Sequence, residues 1–297
     1  MGDDALSSTQ RADIIAEALP FIQSLHGRTL VVKIGGQAVA DAALKSGFAR
    51  DVALLQLVGI HLVLVHGGGP NIPVFLDRVR PDVGADATTR DVIEMVLGEL
   101  NQELVALINR HGGKAVGLSG LDGPLVQAVP LASGEDSGAD HGRVSKVDPE
   151  IITLLQSRNF SPVIMPIAAG PDGEAIFVDA DDVASRLAQA LGAEKLVVMT
   201  DEPGILDDEG RPLADLSVAE ALVLIGEGGL LTADQKVRLG AIVDALQSGV
   251  GSAHLTDARL PSALLLEILS SEGSGTLIHS RRKSHFGADT LKYFGDN

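Results

Sequence analysis

Cysteine and tryptophan are both absent from the 297 residues. Without thiols there is no disulfide, no thiolate metal site and no cysteine nucleophile. One tyrosine and seven phenylalanines keep aromatics at 3%, so the core has to be built from Val, Leu, Ile and Ala. Basic residues are scarce as well: 23 Lys and Arg face 40 Asp and Glu, for a formal charge of −17. That balance argues against a general nucleic-acid binder, which needs a basic face to displace counterions. It argues equally against docking on an anionic membrane or on an acidic carrier protein. No apolar run approaches the roughly 20 residues of a spanning helix. The start, Met1-Gly2-Asp3-Asp4, lacks the basic region of a signal peptide. What remains is a chain with 45% hydrophobic residues, ordinary for a folded protein and too many for disorder. The expectation is a soluble cytoplasmic globule of one large domain or two modest ones.

Short β-branched runs ending in glycine or a polar residue predict strands at Thr29–Ile34, His61–Val65, Lys114–Leu118, Pro162–Ile167, Lys195–Met199 and Ala253–Thr256. Helical periodicity fills the intervals at Ala38–Leu57, Ala87–Arg110, Pro149–Ser157, Asp182–Leu191, Val218–Ile225, Ala233–Gln247 and Pro261–Ser270. Strands alternating with helices of this length indicate βαβ units and a mainly parallel sheet covered on both faces. Asp148-Pro149 reads as a helix start, and Ser217-x-x-Glu220 and Thr232-x-x-Gln235 as capping boxes. Pro171-Asp172-Gly173 and Asp207–Gly210 read as tight turns. The polar segment Pro130–Arg143 predicts a surface hairpin or mobile loop. The tail Arg281–Asn297 has no period and reads as an appendage.

Two glycine loops carry the chemistry. Val31-Val32-Lys33-Ile34-Gly35-Gly36 is a strand ending in a lysine and two glycines before a helix. Leu64-Val65-His66-Gly67-Gly68-Gly69-Pro70 repeats the arrangement. Residues without side chains let backbone N–H groups approach an anion, and the following helix adds its positive end. On neighbouring parallel strands, the two loops make two phosphate cradles at the carboxyl edge of one sheet. Neither completes G-x-x-x-x-G-K-[ST] or G-x-G-x-x-G. The competing reading is a pair of tight strand-to-helix turns. His66 beside a phosphate loop reads as a structural hydrogen-bonding group in preference to a catalytic one.

With these loops, Phe48-Ala49-Arg50-Asp51, Ile108–Gly113, Ala115–Gly120, Leu191–Lys195, Thr200–Gly204 and Leu264–Glu267, the sequence resembles the amino-acid kinase family, and within it most closely the N-acetylglutamate kinase branch. The resemblance implies an αβα three-layer sandwich with a mainly parallel central sheet. It implies an acyl-substrate lobe over residues 26–180 and a nucleotide lobe over 181–280. The reaction it implies is transfer of the γ-phosphoryl group of ATP, with Mg²⁺, to a carboxylate. Lys33, Lys236 and Asp181 match the catalytic set, with Asp181 orienting both lysines. Gly35, Gly36, Gly68 and Gly69 match the phosphate and substrate glycines, and Thr200, Asp201 and Gly204 the start of the nucleotide pocket. Taken alone, an isolated lysine is a solvated charge, and Asp181 caps the helix that follows it.

Three departures from the family bear on the acceptor. Its substrate-clamping arginine has no clear counterpart: Val83 stands in that region, with Arg78, Arg80 and Arg90 nearby. The asparagine that contacts the acyl amino acid is Phe177 here. The family's glycine pair does not stand directly ahead of Lys236, and Leu230-Leu231-Thr232-Ala233-Asp234-Gln235 leads into the lysine instead. Losing a bidentate arginine should cost a dicarboxylate roughly 2–5 kcal/mol of binding. The readings left open are N-acetylglutamate as acceptor, another small acid, a carrier-bound amino acid approached through Arg281-Arg282-Lys283, and a non-catalytic nucleotide-binding homologue. A dinucleotide-binding oxidoreductase lacks a complete fingerprint.

Residues Arg11–Leu25 predict a helix with Ile14, Ile15, Ala18, Leu19 and Ile22 at helical spacing. It packs either on its own lobe or on another chain. The resemblance implies that such a helix interlaces dimers into a larger homo-oligomer, with arginine bound beside it. His254, Glu267 and Gly273 match the arginine-site pattern.

Overall fold

The computed structural model describes residues 7–79, 85–131, 141–226, 229–271 and 273–280. In chain order these form α1 (Ser8–Leu25), β1 (Thr29–Ile34), a 3-10 turn at Gly36–Val39, α2 (Ala42–Leu57), β2 (His61–His66), α3 (Asn71–Val79), α4 (Ala85–Arg110) and β3 (Ala115–Ser119). Then come β4 (Val126–Pro130), β5 (His141–Val147), α5 (Glu150–Gln156), β6 (Ser161–Met165), β7 (Ile167–Ala169), β8 (Ala175–Val178) and α6 (Ala180–Ala190). The last elements are β9 (Lys195–Thr200), β10 (Asp215–Ser217), α7 (Val218–Gly226), α8 (Ala233–Gln247), β11 (Ser252–Asp257), α9 (Ala263–Leu269) and β12 (Thr276–His279).

Eight strands form one sheet in the order β10-β12-β11-β9-β1-β2-β6-β3. It is parallel except where β11 meets β12. Alternation along β1 explains how the sheet is buried on both faces. Leu30, Val32 and Ile34 join the cluster made with Phe48, Val52 and Leu55 of α2 and Leu100 and Leu104 of α4. Val31 joins the opposite cluster, with Val183 and Leu187 of α6 and Leu239 and Ile242 of α8. A strand side chain two residues on lies on the same face, so Lys33 falls on the α6–α8 side. Helix, sheet and helix make three layers, as the sequence predicts.

Local signals act as read. Both capping boxes close: Thr232 with Gln235, and Ser217 with Glu220 through bonds of 2.8 and 3.2 Å. Gly173 and Gly210 complete the two predicted turns with left-handed backbones. The helix expected over Ala38–Leu57 is interrupted, because Asp41 accepts from Ala43 and Leu44 N–H and restarts it as α2. The strand expected over Pro162–Ile167 is also divided. Pro166 has no N–H to donate to a ladder, and the chain passes there from β6 in the large sheet to β7. Strands β4, β5, β8 and β7 close on one another as a small barrel. Within it β4 and β5 are the arms of the predicted hairpin, with Pro130 opposite Gly142. Its centre, 132–140, and the tail from Arg281 lie outside the described residues.

Candidate functional site

Strand β1 lies between β9 and β2, with Ile34 in register with Met199 on one side and His66 on the other. Three loops therefore leave the same carboxyl edge: 35–36, 67–69 and 200–204. The two glycine loops touch. Gly67 N–H donates to Ile34 carbonyl oxygen at 2.9 Å. Gly69 has φ +54°, and a Cβ there would lie 2.6 Å from the Gly36 carbonyl oxygen. Gly36, at φ +63°, faces the Asp201 side chain with no room for a Cβ. The Asp201 carboxylate accepts from Gln37 N–H at 2.8 and 3.1 Å. The Gln37 N–H, in the first turn of the 3-10 segment, thus faces an anionic group.

Lys33 Nζ sits 2.8 Å from Asp181 Oδ1, with both side chains 10% exposed. Asp181 is free for this because Asp179 is the helix cap, accepting from Asp181 and Asp182 N–H at 2.7 and 3.2 Å. The cap expected at Asp181 therefore lies two residues earlier. Burial alone would raise the Asp181 carboxyl, but Lys33 and Arg238 outweigh it and hold the group below its ordinary value. Arg238 Nε donates to Asp181 Oδ2 at 3.0 Å, and its Nη1 to Glu202 Oε2 at 3.2 Å. The expectation that Asp181 orients both lysines holds for Lys33 alone: its second cation is Arg238, and Lys236 stands half-buried on α8 two residues earlier. Thr200 is buried at the end of β9, where its hydroxyl accepts from Glu202 N–H at 3.1 Å. Gly204 packs directly on Thr276.

Neither Arg238 nor Glu202 was singled out in the sequence. A signal existed, since two cations in the first two turns of a helix sit near its positive end and call for an anionic partner. Finding Asp181 as that partner requires the three-dimensional fold.

Phe177 is buried with Ile93, Leu97 and Ile167, against Ile72, Met165 and Ala175. This cluster backs onto the second glycine loop, where Gly68 abuts Ile72 and Leu97. Arg90 donates to the Ala175 carbonyl and pairs with Glu94 at 3.6 Å. Arg78 belongs to α3; Arg80 and Val83 lie outside the described residues.

His66 is fully buried. Its Nδ1 lies 3.3 Å from the Gly67 carbonyl, and its Nε2 3.1 Å from Asn101 Nδ2. Asn101 also donates to the Val163 carbonyl at 2.9 Å. A neutral ring that donates from Nδ1 and accepts at Nε2 satisfies both contacts. Burial, opposed by the Gly67 bond, lowers its pKa to about 4. The unfolded chain then binds a proton that the native state refuses between pH 6.5 and 4, so this contribution is complete above 6.5 and lost as pH falls through that window. It is worth up to about 3 kcal/mol. Urea midpoints at pH 7 and pH 5 should therefore differ less in His66→Asn than in the parent chain; equal differences would remove the argument.

A second buried relay joins β9, β11 and α9. Lys195 Nζ lies 3.0 Å from His254 Nε2, and His254 Nδ1 lies 2.8 Å from Glu267 Oε1. Glu267 Oε2 accepts from Ser274 N–H at 2.9 Å, and Gly273 packs against the same carboxylate. His254, Glu267 and Gly273 are thus brought together. Burial lowers the His254 pKa against the pull of Glu267. Burial would raise Glu267, but His254 and Ser274 bring it below its ordinary value.

Comparison with known proteins agrees with this geometry. The profile of the amino acid kinase family matches residues 28–257. Acetylglutamate kinase of Chromobacterium violaceum is 45% identical over 289 residues, covering 93% of this chain and 100% of the relative. The enzyme of that name from Nitrosomonas eutropha is 43% identical over 291 residues, covering 93% and 98%. Among solved structures, N-acetylglutamate synthase of Neisseria gonorrhoeae complexed with coenzyme A and N-acetyl-glutamate superposes with TM-score 0.78 at 24% identity. The match covers 92% of this chain and 64% of the synthase. Carbamate kinase of Giardia lamblia bound to AMP-PNP gives TM-score 0.66 at 16% identity, covering 86% and 99%. These two likenesses speak for the fold.

Proposed function

Since the chain belongs to the amino acid kinase family, we propose that it transfers the γ-phosphoryl group of ATP to the side-chain carboxylate of N-acetylglutamate, giving an acyl phosphate. The observation that carries this reading is the buried Lys33–Asp181 pair beside two glycine loops that touch. Phosphoryl transfer is mostly positioning and charge stabilisation. In this reading the loop amides and Lys33 meet the transferring group, Lys236 meets the leaving phosphates, and the 200–204 loop begins the nucleotide pocket. A carboxylate acceptor is already a nucleophile and needs no general base. The burial of His66 and its engagement by Asn101 agree with that.

Mg²⁺ enters with the nucleotide. Among the described residues no cluster of three acidic or histidine side chains could cage a metal. Asp181 is already engaged by two cations. Phosphate oxygens and water would hold the ion, as is usual for Mg²⁺, and it would offset the charge of the phosphates beside Lys33. No helix among the described residues is long and apolar enough to cross a membrane, and the enzyme of this reading works in the cytoplasm.

ATP-dependent hydroxamate formation, screened over N-acyl amino acids and other small acids, tests reaction and acceptor together. Saturable product with N-acetylglutamate is expected. No hydroxamate with any acid would overturn the kinase reading. A second reading, an acid with an apolar group in place of one carboxylate, is favoured by the Phe177 cluster behind the second glycine loop. It predicts that such an acid outcompetes N-acetylglutamate in the same screen.

Assembly follows from α1. Ala18 and Ile22 are half-buried where α1 meets α9, but Ile14, Ile15 and Leu19 are 53%, 73% and 50% exposed, so the described residues leave the first half of this face uncovered. We infer an oligomer larger than a dimer, held through α1, with arginine as an effector near His254, Glu267 and Gly273; the Glu267 carboxylate is engaged by His254 and Ser274, so a bidentate guanidinium contact requires arginine to displace one of them. Light scattering should show a smaller particle once residues 1–25 are removed, and calorimetry should show heat with arginine. Unchanged mass refutes the first statement, and no heat at millimolar arginine refutes the second.

A further inference from the structure

We propose that Asn101 and His66 are positioning residues for the second glycine loop: together they fix the Gly67 carbonyl and so aim the Gly68 N–H at an incoming anion. This rests on the kinase reading above, in which that loop meets the reacting groups.

The place of each proton follows from the partners. Asn101 Nδ2 lies 2.9 Å from the Val163 carbonyl oxygen and 3.1 Å from His66 Nε2. A carbonyl only accepts, so the Asn101 amide turns its NH₂ group, and not its oxygen, to this side. One hydrogen goes to Val163 and the other to His66 Nε2, which has to accept it. A neutral imidazole that accepts at Nε2 carries its proton on Nδ1. Nδ1 lies 3.3 Å from the Gly67 carbonyl oxygen and donates to it. A backbone carbonyl of β6 thus decides, through two side chains, where the His66 proton points.

The Gly67 carbonyl and the Gly68 N–H share one planar trans peptide, so they point in opposite directions. A bond that draws the carbonyl toward His66 turns the N–H away from it. The other side of Gly67 is fixed as well, since its own N–H donates to the Ile34 carbonyl of β1. Gly68 is buried, and its N–H has no partner among the described residues. A buried backbone donor left open is costly until something accepts from it, and an oxyanion in the loop would do so. Helix α4 supports the loop twice from one face. Leu97 abuts Gly68, and Asn101, one turn later, acts through His66. Gly117 leaves the space that Asn101 occupies, since a Cβ there would run into its Oδ1.

The test uses the full chain, with steady-state ADP release, melting temperature and nitrogen NMR of the His66 ring, whose signals are assigned by their absence in His66→Asn. The parent ring should carry its proton on Nδ1. Asn101→Leu keeps the volume and removes the donor. It should lose that single ring form and lower kcat about 10- to 100-fold, as expected when reacting groups are slightly misplaced. Two substitutions at His66 separate aim from packing, because the amide nitrogen of Asn stands near the place of Nδ1 and that of Gln near the place of Nε2. His66→Asn still donates to Gly67 and should retain roughly 3- to 10-fold more kcat than His66→Gln. KM for ATP and for the acceptor should change less than kcat throughout. If Asn101→Leu does not fold, the His66 pair carries the same test. The proposal is overturned by a parent ring protonated on Nε2, by kcat within twofold of the parent in Asn101→Leu, or by equal kcat in the two His66 variants. It is also overturned if the losses lie wholly in KM, or wholly in yield and melting temperature with kcat per folded molecule unchanged. A parent chain that forms no acyl phosphate overturns the kinase reading, and this inference with it. That result is distinct from an active parent whose variants are unaffected.

Discussion

Lys33→Ala should lower kcat by about 10²–10³-fold, the size of effect seen when one preorganised group is removed from developing charge. The lysine is 8% exposed and its neighbours Val32 and Ile34 are fully packed, so its ammonium is carried on a rigid strand and aimed without cost at each turnover. The fold should survive. Breaking a buried ion pair costs about 3–5 kcal/mol when the remaining charge is left alone, but here Asp181 keeps Arg238, and the loss should fall below that range. Asp181→Asn should also depress kcat. Combining the two should add little to the worse single variant, because residues acting as a unit are not additive. Stopped-time assays of ADP release, with circular dichroism to certify folding, decide the matter. Turnover near that of the parent in Lys33→Ala would remove Lys33 from the mechanism.

Gly69→Ala is expected to have the next largest effect, and on two quantities at once. A left-handed backbone costs a residue with a Cβ about 1–2 kcal/mol. The new methyl would also lie 2.6 Å from both the Gly36 carbonyl oxygen and Val39 Cγ2. Overpacking of that kind costs about 1–3 kcal/mol more. The neighbour has little room to yield, since Gly36 is itself pressed against Asp201. The loops must separate, and a misplacement approaching 1 Å can cost about 10²-fold in rate. Gly67→Ala is the control, as its Cβ would find only the Ala180 methyl at 3.9 Å. Activity should stay within about threefold there. Equal behaviour of the two variants would show that the contact between the loops is not what holds them.

Much of this was legible beforehand, for identifiable reasons. Strands buried on both faces write themselves as apolar runs, and Thr29–Ile34, His61–Val65 and Lys195–Met199 were read to within a residue of β1, β2 and β9. Of the barrel, only the hairpin segment Pro130–Arg143 between β4 and β5 was legible, not the strands themselves. β5 (His141–Val147) alternates exposed and buried positions with Arg143 and Lys146 among them, and β8 has only four residues, too short for a period to register. The strand–glycine–helix pattern at Leu64–Pro70 implied α3 (Asn71–Val79) but gave it no bounds, because Pro70 and Pro73 look like a loop although proline is tolerated in the first turn of a helix. Within the site, residues tied to a local motif could be read from their neighbours. Arg238 could not, because its meaning depends on Asp181, 57 positions away in the chain.

The place of β1 in the sheet also bears on how the chain is made. Leu30 pairs with Leu62 on one side and with Lys195 on the other. The first partner emerges from the ribosome soon after β1, and the second only after most of the chain has been synthesised. Until then one edge of this buried strand presents its unpaired N–H and C=O groups to any other extended segment. Pairing at such sequence separation is intrinsically slow and exposes the chain to aggregation. A truncated product ending before Lys195 should therefore precipitate during synthesis, and one that reaches beyond Thr200 has the strand that closes the edge.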